Sequence, residues 1–175
     1  MFLDEFGFSF QEALATTWAR KGCRPVFRRV TRDRRALSTA VALTLSGKIY
    51  KRHFTGSIKS VQLIEMLQHL QRHVSGPLIL IWDRARIHLS QITRTYLANH
   101  PEIMVEELPA YAPELNPEEY CHGNVKSHRA NATPADVTAL RQSIDQGFAR
   151  LRRRADLLLS FIQAAGLSVK QLIRT

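Results

Sequence analysis

Leu78-Ile79-Leu80-Ile81-Trp82-Asp83 decides the architecture of this chain: five apolar residues, then a carboxylate. An apolar run this short, entered through Ser75-Gly76-Pro77, reads as a strand covered on both faces rather than as a helix. An ionised Asp83 at its end is costly unless paired or bound to metal, and strand ends are where loop chemistry begins. The competing reading is a turn or capping aspartate before Ala85-Arg86-Ile87.

On the N-terminal side, Phe2 to Phe10 reads as a first strand, with Asp4 on the pleat face of Phe2 and Phe6 and Glu5 on the other. Arg34 to Leu45 reads as a second strand, Ser46-Gly47 as a turn, and Lys48 to Phe54 as a third. Leu63, Met66, Leu67, Leu70 and Val74 recur at helical spacing, which predicts an amphipathic helix from Ser57 to about His73. On the C-terminal side the pattern predicts a helix over Ser90–Asn99, a strand over Ile103–Leu108 and a helix from Asn116. Helices over about Pro134–Arg153 and Asp156–Ala165 follow. Periodicity by itself supports only a mixed α/β class.

Asn116-Pro117-Glu118-Glu119 is a strong helix start: an N-cap, proline at the first position, and Glu119 placed as in a capping box. Helix geometry alone therefore accounts for Glu119. The same terminus also favours an ionised carboxylate, as metal ligation requires.

The segment Trp82-Asp83-Arg84-Ala85-Arg86-Ile87-His88, then Leu108 to Glu119 with its Asn116-Pro117-Glu118-Glu119, then Lys126, resembles the catalytic domain of DDE transposases of the mariner superfamily, bacterial insertion-sequence branch. About 35 residues separate Asp83 from Glu119, a gap similar to that between the family's second and third acids. Two positions depart from the pattern: Arg84 stands where relatives often have Asn, and Cys121-His122-Gly123-Asn124 replaces an aromatic.

The resemblance implies an RNase H-like α/β fold, an antiparallel meander plus parallel strands flanked by helices, as one domain over residues 1–175. It implies Asp4, Asp83 and Glu119 as catalytic metal ligands, with His88 and Asn116 supporting them. It implies Mg²⁺, with Mn²⁺ able to substitute, and a homodimer on double-stranded DNA acting at terminal inverted repeats and target. Three residues precede Asp4, so a helix-turn-helix reader is expected from an upstream segment or a separate chain. Two other readings remain: a repurposed basic DNA-binding protein, and a different RNase H-like nuclease acting on RNA:DNA hybrids.

Composition agrees with a polyanion partner. The net charge is +10 and the pI about 10.3, with 45% hydrophobic residues, enough for one proper core. Arg20, Lys21, Arg24, Arg28, Arg29, Arg32, Arg34 and Arg35 crowd one stretch against the single acid Asp33 and read as a phosphate-contacting edge. Arg150 to Arg154 form a second cluster at a helix end, where the helix dipole explains them. Lys126 lies two turns beyond Glu119 on the same helix face, placed to reach a DNA backbone.

No signal-peptide pattern and no apolar run near the ~18 residues of a membrane span are present, which predicts a cytoplasmic protein without a membrane partner; the resemblance implies a bacterial, nucleoid-associated one. Cys23 and Cys121 are too few and too distant for a disulfide framework. Cys121, His122 and His128 lack a fourth ligand at zinc spacing, so no zinc site is expected.

Overall fold

The computed structural model describes residues 1–10, 16–26 and 37–167. Five strands form one sheet: β1 (Phe2–Phe8), β2 (Leu37–Leu43), β3 (Ile49–Thr55), β4 (Leu78–Trp82) and β5 (Ile103–Glu107), in the order β3-β2-β1-β4-β5. The first three pair antiparallel, with Asp4 opposite Val41. β1 then pairs parallel with β4, where Phe2 faces Ile81, and β4 pairs parallel with β5. This meander plus parallel extension is the expected mixed sheet, and it sets Asp4 and Asp83 on neighbouring strands.

Helices cover both sides. α1 (Ser60–His73) turns Leu63, Met66, Leu67 and Leu70 inward against Leu3, Leu80 and Trp82. Each such burial contributes about 1.5–3 kcal/mol. α2 (Gln91–Ala98) lies beside α1 and is capped by Ser90, whose hydroxyl accepts from the Thr93 amide. On the other face α3 (Pro117–His128), α4 (Val137–Arg152) and α5 (Ala155–Ala164) pack over β1 and β2, burying Phe8, Val41, Val125, Ile144 and Phe148. β2 is buried along its whole length because its alternate residues feed these two cores.

Two expectations change. The second face of β4 is only partly covered: Ile81 is half-buried, while Ile79 remains 52% exposed and lies beside half-exposed Met104 of β5. α3–α5 stop over β1–β3, and a short run of Leu and Ile reads alike whether one face or both are covered. Secondly, Asn116 caps α3 by accepting from the Glu118 amide, and the Glu119 side chain does not return the contact, so no capping box forms.

β3 carries a polar knot away from the parallel strands. Lys51 and His53 both bond Asp145 of α4, and His53 Nδ1 lies 2.7 Å from the buried Thr39 hydroxyl. Burial lowers the His53 pKa below its ordinary value and the nearby Lys51 charge adds to this. None of the described helices is long and apolar enough to cross a membrane.

Candidate active site

Three elements converge at the C-terminal end of β4. Asp4 enters from the middle of β1, Asp83 follows β4 directly, and a 3₁₀ turn (Pro113–Leu115) delivers the N-terminus of α3 with Glu119. All three carboxylates, together with Asn116, Arg84 and the 108–113 loop, line one cavity of about 580 Å³.

Each carboxylate has a different setting. Asp4 Oδ1 accepts from the Glu5 amide at 2.7 Å and Oδ2 from the Asn116 side-chain amide at 2.8 Å. Burial, then the charges of Glu5, Glu119 and Asp83, push its carboxyl up to about 7, although the Glu5 amide works the other way. Asp83 is held the opposite way: a hydrogen bond from His88 keeps its carboxyl below the ordinary value, and Oδ1 also takes the Ala85 amide. Glu119 is half exposed at the cavity wall.

His88 is the buried link between the acids. Its ring stacks flat on Trp82 at 4.3 Å, Nδ1 donates to the Asp83 carbonyl and Oδ1 at 2.8 and 3.0 Å, and Nε2 donates to Glu5 at 3.2 Å. Burial alone would lower its pKa, but the two carboxylates outweigh that and raise it to about 10, so the ring is an imidazolium. Glu5, on the opposite pleat face from Asp4 as alternation predicts, thus anchors His88 and does not line the cavity.

Sequence reasoning missed four features. Glu118 is completely buried, no hydrogen bond of ordinary geometry reaches either of its oxygens, and burial with the Asp4 charge lifts its pKa well above the carboxylate range despite the neighbouring Cys121 thiol. His122, buried behind the cavity against the Phe6 ring, brings a nitrogen into a group with oxygens of Asp4 and Glu119, all within 4.8 Å of one another. Burial, then Lys126, pulls its pKa well below 6.5, leaving a neutral imidazole. Tyr111 at the rim is wholly exposed and holds a left-handed φ of 60°. Arg84 pairs with Glu107 at 2.9 Å across the ends of β4 and β5. His122 and Arg84 sit where the motif departs from its relatives, and that departure was the available signal.

The predicted DNA contacts are dispersed. Arg20, Lys21 and Arg24 are exposed in the β1–β2 connection beside the fully exposed Trp18, whereas Arg28, Arg29, Arg32, Arg34 and Arg35 lie outside the described residues. Lys126 is exposed, with Nζ 5.8 Å from the Phe6 ring centre, so it shares the site's side of the sheet. Cys121 is buried and His128 exposed, so the pair does not share a surface with His122.

The donor set fits a divalent cation. Crowded carboxylates with a neutral imidazole are hard and borderline donors, and the raised pKa of Asp4 comes from burial first and then from like charges without a counter-charge.

The family model described as "DDE superfamily endonuclease" matches residues 1–141. The chain belongs to the DDE superfamily endonucleases. No curated protein sequence matches it. Among solved structures this DDE chain is similar to the Mos1 mariner paired-end complex with Mn, at TM-score 0.67 and 20% identity over 97% of this chain and 54% of that one. The Mos1 paired-end complex with left transposon end gives TM-score 0.62 and 19% identity, covering 91% and 54%. The Mos1 catalytic domain alone gives 0.57 and 17%, covering 95% and 82%. The DDE chain therefore spans about half the length of the full Mos1 chains and shares the transposase catalytic-domain fold.

Proposed function

We propose that this chain is a transposase catalytic domain that nicks DNA at the ends of a bacterial insertion sequence and joins the freed 3′ ends to target DNA. The observation that supports the reading most is the shared cavity of Asp4, Asp83 and Glu119 in a chain of the DDE endonuclease family. We assign these three as ligands of Mg²⁺ or Mn²⁺, the metals of the matched Mos1 complexes. When bound, such cations activate the attacking oxygen and neutralise charge on the phosphate and the leaving oxygen.

The chain's own residues then have defined tasks. Asn116 fixes one Asp4 oxygen while capping α3, so Asp4 and the start of the Glu119 helix are set by one side chain. His88 orients Asp83 through its imidazolium and is itself held by Glu5 and Trp82. Arg84, at the wall beside Asp83, supplies a cation for the phosphate once Glu107 releases it; an exposed pair of this kind is worth about 0–1 kcal/mol, little to give up. Two-metal phosphoryl transfer needs no side-chain nucleophile, and the nucleophile is assigned as water for nicking and a 3′-hydroxyl for joining.

The exposed Arg20, Lys21, Arg24 and Lys126 are assigned to DNA phosphates, which give affinity without sequence information. Reading of the terminal repeats is assigned to a helix-turn-helix segment or chain outside these residues, and the active assembly to a dimer on DNA at the nucleoid. The test is cleavage of labelled duplexes carrying terminal repeats in Mg²⁺ or Mn²⁺. Cleavage that Asp83→Asn abolishes is expected. Preference for RNA:DNA hybrids would move the chain to another RNase H-like nuclease class, and DNA binding without any cleavage would make it a repurposed binding protein.

A further inference from the structure

His122 brings a nitrogen up to Asp4 and Glu119 from behind the acidic cavity, and its geometry asks for a partner that the protein does not provide. Its side chain is 5% exposed, Nδ1 lies 4.0 Å from Asp4 Oδ2 and 3.9 Å from Glu119 Oε2, and none of these separations is a hydrogen bond. Nε2 lies 4.0 Å from Glu118 Oε2 and has no hydrogen-bond partner, and Glu118 is wholly buried with both oxygens in the same condition. Buried polar atoms are satisfied in the great majority of cases, so three unpaired atoms around one ring call for an explanation.

We propose that His122 Nδ1 is a ligand of the divalent cation held by Asp4 and Glu119, with Glu118 as the carboxylate behind it. This rests on the metal-dependent reading above and adds a fourth protein ligand to it. Bonds of about 2.0–2.2 Å keep ligand atoms within roughly 4.4 Å of each other, so the three present atoms need only a slight contraction around an ion. A metal on Nδ1 fixes the ring proton on Nε2, 4.0 Å from Glu118 Oε2; a carboxylate holding the far nitrogen of a metal-bound imidazole is the usual supporting arrangement, reached here by a small approach of the two. The tight packing of the ring against Phe6, at 3.4 Å between centroids, sets its plane.

The inference also gives a metal preference. Imidazole binds first-row transition ions better than it binds Mg²⁺, so His122 should bias this site toward Mn²⁺ and away from Mg²⁺.

The full chain, free of DNA, is titrated calorimetrically with Mn²⁺ and with Mg²⁺, and bound Mn²⁺ is examined by pulsed electron paramagnetic resonance. Nitrogen-14 coupling to Mn²⁺ is expected in the wild type and absent from His122→Phe, which keeps a ring against Phe6. Mn²⁺ affinity should fall roughly 10–100-fold in Glu118→Gln, the usual effect of losing such a supporting carboxylate, and at least as much in His122→Phe. The Mg²⁺ loss should be smaller.

Should His122→Phe fail to fold, Asp4→Asn serves in its place, since the nitrogen signal must vanish with the shared ion. Mn²⁺ bound without nitrogen coupling in the wild type overturns the proposal and leaves the three-acid reading intact. Coupling that survives His122→Phe overturns it as well. Mn²⁺ binding that is indifferent to Asp4→Asn overturns both readings.

Discussion

Asn116 donates to Asp4 Oδ2 at 2.8 Å while its own carbonyl oxygen caps the Glu118 amide, so one side chain ties the central strand to the start of α3. Aspartate caps a helix as well as asparagine does but would set a second carboxylate against Asp4. Asn116→Asp should therefore lower the metal-free melting temperature at pH 8, with a cost of roughly 1–3 kcal/mol, and much less at pH 5. A melting series at both pH values checks it; an equal loss at each would show that Asp4 repulsion is not the cause.

The adjacent glutamates should separate cleanly. Glu119→Gln, at a half-exposed side chain, should abolish Mg²⁺-dependent nicking and leave melting within about 0.5 kcal/mol. Glu118→Gln, at a fully buried one, should keep or raise the metal-free melting temperature because a buried carboxyl is replaced by a neutral isostere. Loss of melting temperature without loss of nicking in Glu119→Gln would leave that residue a structural charge at the α3 N-terminus.

Tyr111 holds φ at 60° with its ring wholly in solvent, so its conformation costs about 1–2 kcal/mol and its side chain adds no burial. Tyr111→Gly should leave thermal stability unchanged or higher. Duplex affinity should fall in the same variant if the exposed ring stacks on a base at the cavity rim, measured by anisotropy at fixed salt.

Gly147 of α4 faces Val125 of α3 so closely that a Cβ would meet Cγ1 at 3.0 Å. Alanine is normally worth about 1 kcal/mol over glycine inside a helix. Here Gly147→Ala should instead destabilise, because the fully buried Val125 would have to give way by a few tenths of an ångström. Val125→Ala in the same chain should recover part of the loss; a simple gain from Gly147→Ala would show that α3 and α4 pack more loosely than this.

Acid lability should follow the β3–α4 knot. His53 has a folded pKa below its ordinary 6.5, so as pH falls under 6.5 the unfolded chain takes a proton that the native one refuses, and stability is lost. Asp145, whose folded carboxyl is depressed below 3.8 because the bonds from Lys51 and His53 outweigh its burial, gives stability that is present above 3.8 and lost as pH falls through its folded value. His53→Asn should flatten the upper part of this acid slope in urea titrations between pH 5 and 7, and should also shrink the lower part, because His53 supplies one of the bonds that depress Asp145.

Much of this was legible in residue order. The face companions Phe2 and Phe6 separated Asp4 from Glu5, and the spacing of Leu63, Met66, Leu67 and Leu70 fixed α1. The helix start at Asn116 was visible too, and the resemblance chose Glu119, but spacing alone did not separate it from Glu118. Adjacent helical residues point about 100° apart, and only the path of the 108–113 loop decides which meets the cavity. The Arg84–Glu107 pair and the Lys51–Asp145 contact join residues distant in sequence, and no local pattern encodes them. The bare face at Ile79 was hidden because burial on one side already demands an apolar run.

The placement of β1 at the centre of the sheet also fixes an order of events. Its partners are β2 and β4, and the acid cavity closes only when α3 arrives, so β1 waits for segments made after it. Pairings between distant segments form slowly. A growing chain thus carries Asp4 without a Glu119 to meet it until α3 has been made, and until then the acid cavity has no closing wall.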